Sequence, residues 1–133
     1  MTRTLLAAVS LALVSGCGTP PPDLFLVERS GADRNANLDL VVSDGGSVKC
    51  NGEQHPLDAE RLLAARRLER DLAPQAELSI ELPPGPGSQL SYRVSMETGT
   101  IAFSDRSEGV PSTFQRVAAF TTDVAERVCG IER

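Results

Sequence analysis

Several stretches of this chain alternate apolar with polar residues, and two others repeat their apolar residues at helical spacing. Leu38, Leu40 and Val42 alternate with Asp39 and Ser43, the period-two pattern of a half-buried strand. Leu78, Ile80 and Leu82 alternate in the same way with Glu77, Ser79 and Glu81, as do Leu90, Tyr92, Val94 and Met96 with Ser91, Arg93 and Ser95. Ile101 and Phe103 share one side of a return strand over residues 100–104, and the short apolar run 24–28 fits a first strand. Asp44-Gly45-Gly46 is a turn that pairs residues 47–50 back on 38–43 as a hairpin. Glu97-Thr98-Gly99 is another, with Gly99 suited to the left-handed position of a three-residue hairpin loop. Residues 31–37 are polar and turn-rich, and residues 51–56 read as a loop. Pro83-Pro84-Gly85-Pro86-Gly87-Ser88 is also a loop, because neither a ladder nor a helix tolerates that composition.

The helical periodicity falls over residues 58–72, where Leu62, Ala65, Leu68 and Leu72 lie on one side. Asp58 is available as N-cap, Glu60 suits the positive end of the helix dipole, and Pro74 helps to stop the helix. Arg66 and Arg67 lie within i+3 and i+4 reach of Glu69 and Asp71, so the arginines of this helix, Arg61 and Arg70 included, read as a solvated, charge-paired face. A second helix follows Pro111. Ser112 and Gln115 match a capping box, Val117, Phe120, Val124 and Val128 form the core stripe with help from Phe114, and Gly130 can end it. These elements predict one α+β domain over residues 24–133: an antiparallel sheet of about five strands with both helices packed on one face.

Composition adds a compartment. The 133 residues carry a net charge of −5. Without residues 1–16, which hold Arg3 and no acid, 12 basic and 18 acidic side chains remain, or −6. Such a chain repels phosphate backbones, which argues against nucleic acid as a partner. At the amino end Arg3 precedes an apolar run over residues 5–14, followed by small residues, which is the layout of a secretory signal over 1–16. Its last residues, Val14-Ser15-Gly16-Cys17, resemble the bacterial lipobox. That resemblance implies cleavage before Cys17 and a diacylglycerol on its thiol, hence a membrane partner through the lipid and a place on the extracytoplasmic face of the cell membrane. Residues 17–23 then form a proline-rich tether; six polyproline II residues reach roughly 20 Å at about 3.1 Å per residue.

Cysteine arithmetic agrees with that assignment. Three cysteines are odd for an exported chain. With Cys17 acylated, Cys50 and Cys129 form an even pair in an oxidising compartment, either disulfide-bonded or both free and buried. The disulfide is the expectation, and in the chain-entropy picture a loop of roughly 80 residues is worth about 4 kcal/mol.

The chemistry-bearing residues point away from an enzyme and from any cofactor. The glycine-rich segments Gly45-Gly46 and Gly85-Pro86-Gly87 do not run into a helix as phosphate loops do. His55, the single histidine, sits in a loop with no partner selected by spacing. Cys50, Cys129 and His55 lack zinc-site spacing, and the calcium loop pattern is missing. Glu77, Glu81, Asp105 and Glu108 offer carboxylates, but spacing pairs no two of them, and residues 104–108 read as the turn before the last helix. The loop Pro83, Pro84, Gly85, Pro86, Gly87 is the candidate contact, since proline lowers the ordering cost of binding.

Residues 44–46 leading to Cys50-Asn51-Gly52, the run Tyr92-Arg93-Val94, and Val128-Cys129-Gly130 resemble small lipoproteins of high-GC Gram-positive bacteria, a likeness that implies no particular activity. A strand leading to a cysteine, then His55-Pro56 and a helix, resembles the subtilisin-inhibitor-like fold, although Ala73-Pro74-Gln75 lacks the nearby cysteine that would brace a reactive loop. The expectation is a non-enzymatic envelope lipoprotein that binds an envelope protein or other component, with a serine protease inhibitor as the alternative.

Overall fold

The computed structural model describes residues 22–133. The signal over 1–16, Cys17 and most of the tether lie outside them. The described elements are β1 (Asp23–Gly31), β2 (Leu38–Ser43), β3 (Ser47–Cys50), β4 (Glu53–Pro56), α1 (Ala59–Glu77), β5 (Leu90–Met96), β6 (Gly99–Ser104) and α2 (Ser112–Arg127). The strands form one six-stranded antiparallel sheet in the order β4-β3-β2-β1-β5-β6. The α+β class is as expected, with six strands where about five were read.

Alternation sets which face is buried. Phe25 and Val27 of β1, Leu38, Leu40 and Val42 of β2, Val48 of β3, Tyr92 and Val94 of β5, and Ile101 and Phe103 of β6 all point to the helix side and are buried. Burying each such side chain is worth roughly 1.5–3 kcal/mol. Ala65, Leu68, Leu72 and Ala76 of α1 and Phe114, Val117, Phe120 and Val124 of α2 cover them. Every aromatic residue of the chain joins this core, in the pairs Phe25–Phe120, Tyr92–Phe103 and Phe103–Phe114 with ring centroids 5.0–6.0 Å apart.

Residues 53–56, expected as loop, form the extra strand because of the turn before them. Asn51 and Gly52 have φ of 50° and 87°. Positive φ at both central residues is the tight two-residue hairpin turn that Asn-Gly favours, and it pairs Cys50 with Glu53. The other hairpin loop is also shorter than read, since Met96 pairs with Gly99 and only two residues lie between them.

Helix α1 does not stop at Leu72. It runs through Pro74 to Glu77, although an interior proline costs a helix about 3 kcal/mol. The last turn is held by packing instead: Ala76 is fully buried, and its carbonyl lies where a Cβ on Gly99 would be. Gln75 also donates to the Thr113 hydroxyl of α2 at 3.0 Å. The strand expected over residues 77–82 is therefore cut short. Leu78 caps the helix and is 74% exposed, and only Glu81 bridges Ala102, beside the edge of β6. Leu82 N–H donates to the Ala102 carbonyl, and Ala102 N–H donates to that of Ile80.

Asp58 caps α1 as expected, accepting from Arg61 N–H at 3.0 Å. The capping box expected at α2 does not form: Pro111 is the N-cap, Ser112 is already helical, and no side chain among the described residues caps the end. The charge pairing also differs from the intrahelical pattern. Arg66 reaches Asp44 on the β2–β3 turn, and Asp71 accepts from Arg116 of α2. Arg61–Asp123, Asp71–Arg116 and Gln75–Thr113 run along an antiparallel α1–α2 seam.

Cys50 and Cys129 are disulfide-bonded, with Cα atoms 6.1 Å apart and a sequence separation of 79. The bond ties the end of β3 to the residues just past α2. Replacing both cysteines by alanine should lower unfolding stability by about 4 kcal/mol, read as a drop in the urea midpoint that reducing agent reproduces in the parent protein. An unchanged midpoint would refute the tie. Arg61, first through its backbone N–H and then through its side chain, holds the Asp58 carboxyl below the usual carboxylate value. The stabilising effect of Asp58 is then full above the ordinary pKa of about 3.9 and fades as pH falls through the lower folded value. The stability gap between the parent and Asp58→Ala should accordingly be constant near neutrality and shrink in acid unfolding titrations below that pH.

Candidate functional site

The face of the sheet opposite the helices has no covering layer among the described residues. Glu28 of β1 stands in register with Asp39 of β2 on one side and Arg93 of β5 on the other. Ser30 stands in register with Ser91, and Arg93 with Ala102. Around this row lies an open depression of about 830 Å³. Leu82 and Pro84 border it beside β6, and Asn37 and Asn51 border it beside β2.

The two asparagines are fixed by backbone contacts. Asn37 Oδ1 accepts from Gly31 N–H at 3.2 Å, and Asn51 Oδ1 accepts from Asp39 N–H at 2.8 Å. Arg93 lies 3.7 Å from Glu81. Glu28 and Asp39 form no ion pair among the described residues, although like charges directly opposite on neighbouring strands destabilise a sheet.

Of the loop expected from sequence as a contact, Pro84 alone lines the depression, while Pro83, Pro86 and Gly87 are exposed beside it. Ser88 Oγ donates to the Gly85 carbonyl at 2.9 Å, and Ser104 Oγ donates to Ser88 Oγ at 2.6 Å. Gly85 lies so close to the Arg106 carbonyl that a side chain would not fit. The bracing means little conformational freedom is left to lose on binding.

The other residues weighed from sequence do not converge. His55 sits on the edge strand β4, its Nε2 3.5 Å from Glu53 Oε1. Asp105 accepts from Gln89 N–H, and Glu81 faces Arg93. No three His, Cys, Asp or Glu side chains cluster as metal ligands among the described residues. Glu28, Asp39 and Arg93 carried a usable signal, since they fall on the polar phase of alternating strands. Asn37 and Asn51 carried none, because their position depends on how the strands assemble.

One charged residue lies in the core among the described residues. Arg29 is 2% exposed on the helix side of β1. Its Nε donates to the Ala36 carbonyl at 2.8 Å and its Nη2 to the Asn35 carbonyl at 3.1 Å, while Nη1 has no partner among the described residues. Burial lowers its pKa below the ordinary arginine value. These bonds hold the bend at residues 33–36, where Asn35 has φ of 64° and donates to the Glu132 carbonyl. Charged hydrogen bonds are worth about 1.5–3 kcal/mol each, offset by the desolvation of a buried cation. Arg29→Ala should therefore destabilise the domain by about 2–4 kcal/mol and speed amide exchange at Asn35 and Ala36. A loss below about 0.5 kcal/mol would mean that the bend is held by other contacts.

Compared with known proteins, the chain matches no protein-family model, no curated protein and no solved structure.

Proposed function

We propose that this protein is a non-enzymatic binding module, carried on a lipid at Cys17 on the extracytoplasmic face of the cell membrane, whose partner is an envelope protein. The observation that carries the binding role is the depression on the sheet, open among the described residues, bordered by the braced Leu82 and Pro84 segment and lined by Glu28 and Arg93. The anchor rests on the leader and on Val14-Ser15-Gly16-Cys17. Net negative charge disfavours nucleic acid as the partner. The inhibitor alternative has less support, because Ala73-Pro74-Gln75 is helical within α1 rather than extended as a substrate strand.

Two experiments test the parts separately. An alkyne-tagged palmitate should label the parent protein in its native envelope but not Cys17→Ser, which should move to the soluble fraction. Equal labelling of both would sink the anchor. A photo-cross-linker in place of Pro84 should capture one envelope protein, and one placed at Arg67 on the exposed side of α1 should not. Capture of a serine protease, with stoichiometric loss of its activity, would favour the inhibitor.

A further inference from the structure

The open face of the sheet has no covering layer among the described residues, and its shape and charge together indicate what fits there. Strands present every second side chain on this face, so the floor of the depression is a row of short and charged groups: Ser30 and Ser91, then Glu28, Asp39 and Arg93. Aromatic side chains are absent from that outward row, since Tyr92 and Phe103 of the flanking strands turn their rings into the core. The depression is bordered by Leu82 and Pro84 beside β6 and by Asn37 and Asn51 beside β2. Both asparagine carbonyls are committed to backbone N–H groups, which leaves the amide NH2 groups as donors for a chain lying between these borders.

Charge then selects among extended chains. Arg93 is already faced by Glu81, whereas Glu28 and Asp39 oppose each other in register with no cation of this chain paired to either among the described residues. A cation placed between them would relieve that repulsion, and the negative charge of the domain would draw a basic partner toward it.

We infer that this face docks an extended, arginine- or lysine-rich segment of a partner protein, its backbone carbonyls meeting the Asn37 and Asn51 amides and its cations meeting Glu28 and Asp39. The inference rests on the binding role assigned above to the same depression and adds the chemical class of the partner.

The test uses the full chain in a neutral detergent and follows its backbone amides by NMR. The probe is the peptide Arg-Ala-Arg-Ala-Arg-Ala. Its counterparts are the same peptide with serine or glutamate in place of arginine, and spermidine. The arginine peptide should shift Ser30, Ser91 and Ala102. Glu28→Gln with Asp39→Asn should weaken it about tenfold, as expected for two exposed ion pairs. Glu60→Gln with Glu126→Gln, which removes the same charge from the helices, should leave its affinity within about twofold. Shifts spread over the helix acids, or equal weakening by both double variants, would reduce the effect to net charge and overturn the inference. Spermidine reproducing the full effect would overturn the polypeptide assignment. The serine or glutamate peptide binding more tightly would overturn the cationic class while leaving the depression as the binding site. Failure of every probe to shift the floor would overturn this inference, and the binding role would then stand or fall on the cross-linking at Pro84.

Discussion

Strand β1 pairs with β2 along one edge and with β5 along the other, so its register positions the rest of the sheet. Because side chains alternate faces, that register places Phe25 and Val27 under the helices and Glu28 on the opposite face. A slip of one residue would exchange the two sets, driving Glu28 into the core and exposing Phe25 and Val27. The pairing of β1 therefore sets both the core and the floor of the depression, since residues 24–27 are apolar at every position and do not choose a face by themselves. Arg29 is the departure from the pattern: it falls on the buried phase, and the bend at residues 33–36 supplies the carbonyls that make its burial tolerable.

The helix layer is set by contacts between elements distant in sequence. The Arg61–Asp123, Asp71–Arg116 and Gln75–Thr113 contacts align α1 and α2 antiparallel, and the Cys50–Cys129 disulfide fastens the residues after α2 to the end of β3. The same disulfide lies next to Asn51, whose turn joins β3 to β4 and whose side chain holds Asp39 N–H at the border of the depression. The covalent tie and the candidate site thus share one corner of the sheet. The two edges of the sheet are short or interrupted: β4 ends at Pro56, and the segment beside β6 runs into Pro83 and Pro84. Proline has no N–H to offer a further strand, which discourages edge-to-edge association.

Where the chain departs from its local signals, the cause is packing. Pro74 is a sound reason to end a helix, yet α1 continues because Ala76 fits against Gly99 and the resulting burial outweighs the lost hydrogen bond. Leu78 has the spacing of a strand residue and becomes an exposed helix cap for the same reason. Ser112 and Gln115 have capping-box spacing, but the helix begins one residue earlier than that box requires, with Pro111 at its cap. Arg66 and Asp71 lie five residues apart and each finds a partner outside its own helix, since a tertiary neighbour competes freely with the weak intrahelical pairs.

The sequence by itself determined the α+β class, the core faces of β2, β5 and β6, the Asp58 cap, both helix stripes and the Cys50–Cys129 pairing. Each of these follows from periodicity, local hydrogen bonding or the parity of cysteines, which act over a few residues or by count. Tertiary structure alone decided the length of α1, the partners of its arginines, the burial of Arg29 and the meeting of Glu28, Asp39, Arg93, Asn37 and Asn51 with the Leu82–Pro84 border. Those outcomes depend on strand order and on close approach between segments far apart in the chain. Alternation tells which side of a strand a residue takes, but only the assembled sheet determines which other residues lie beside it.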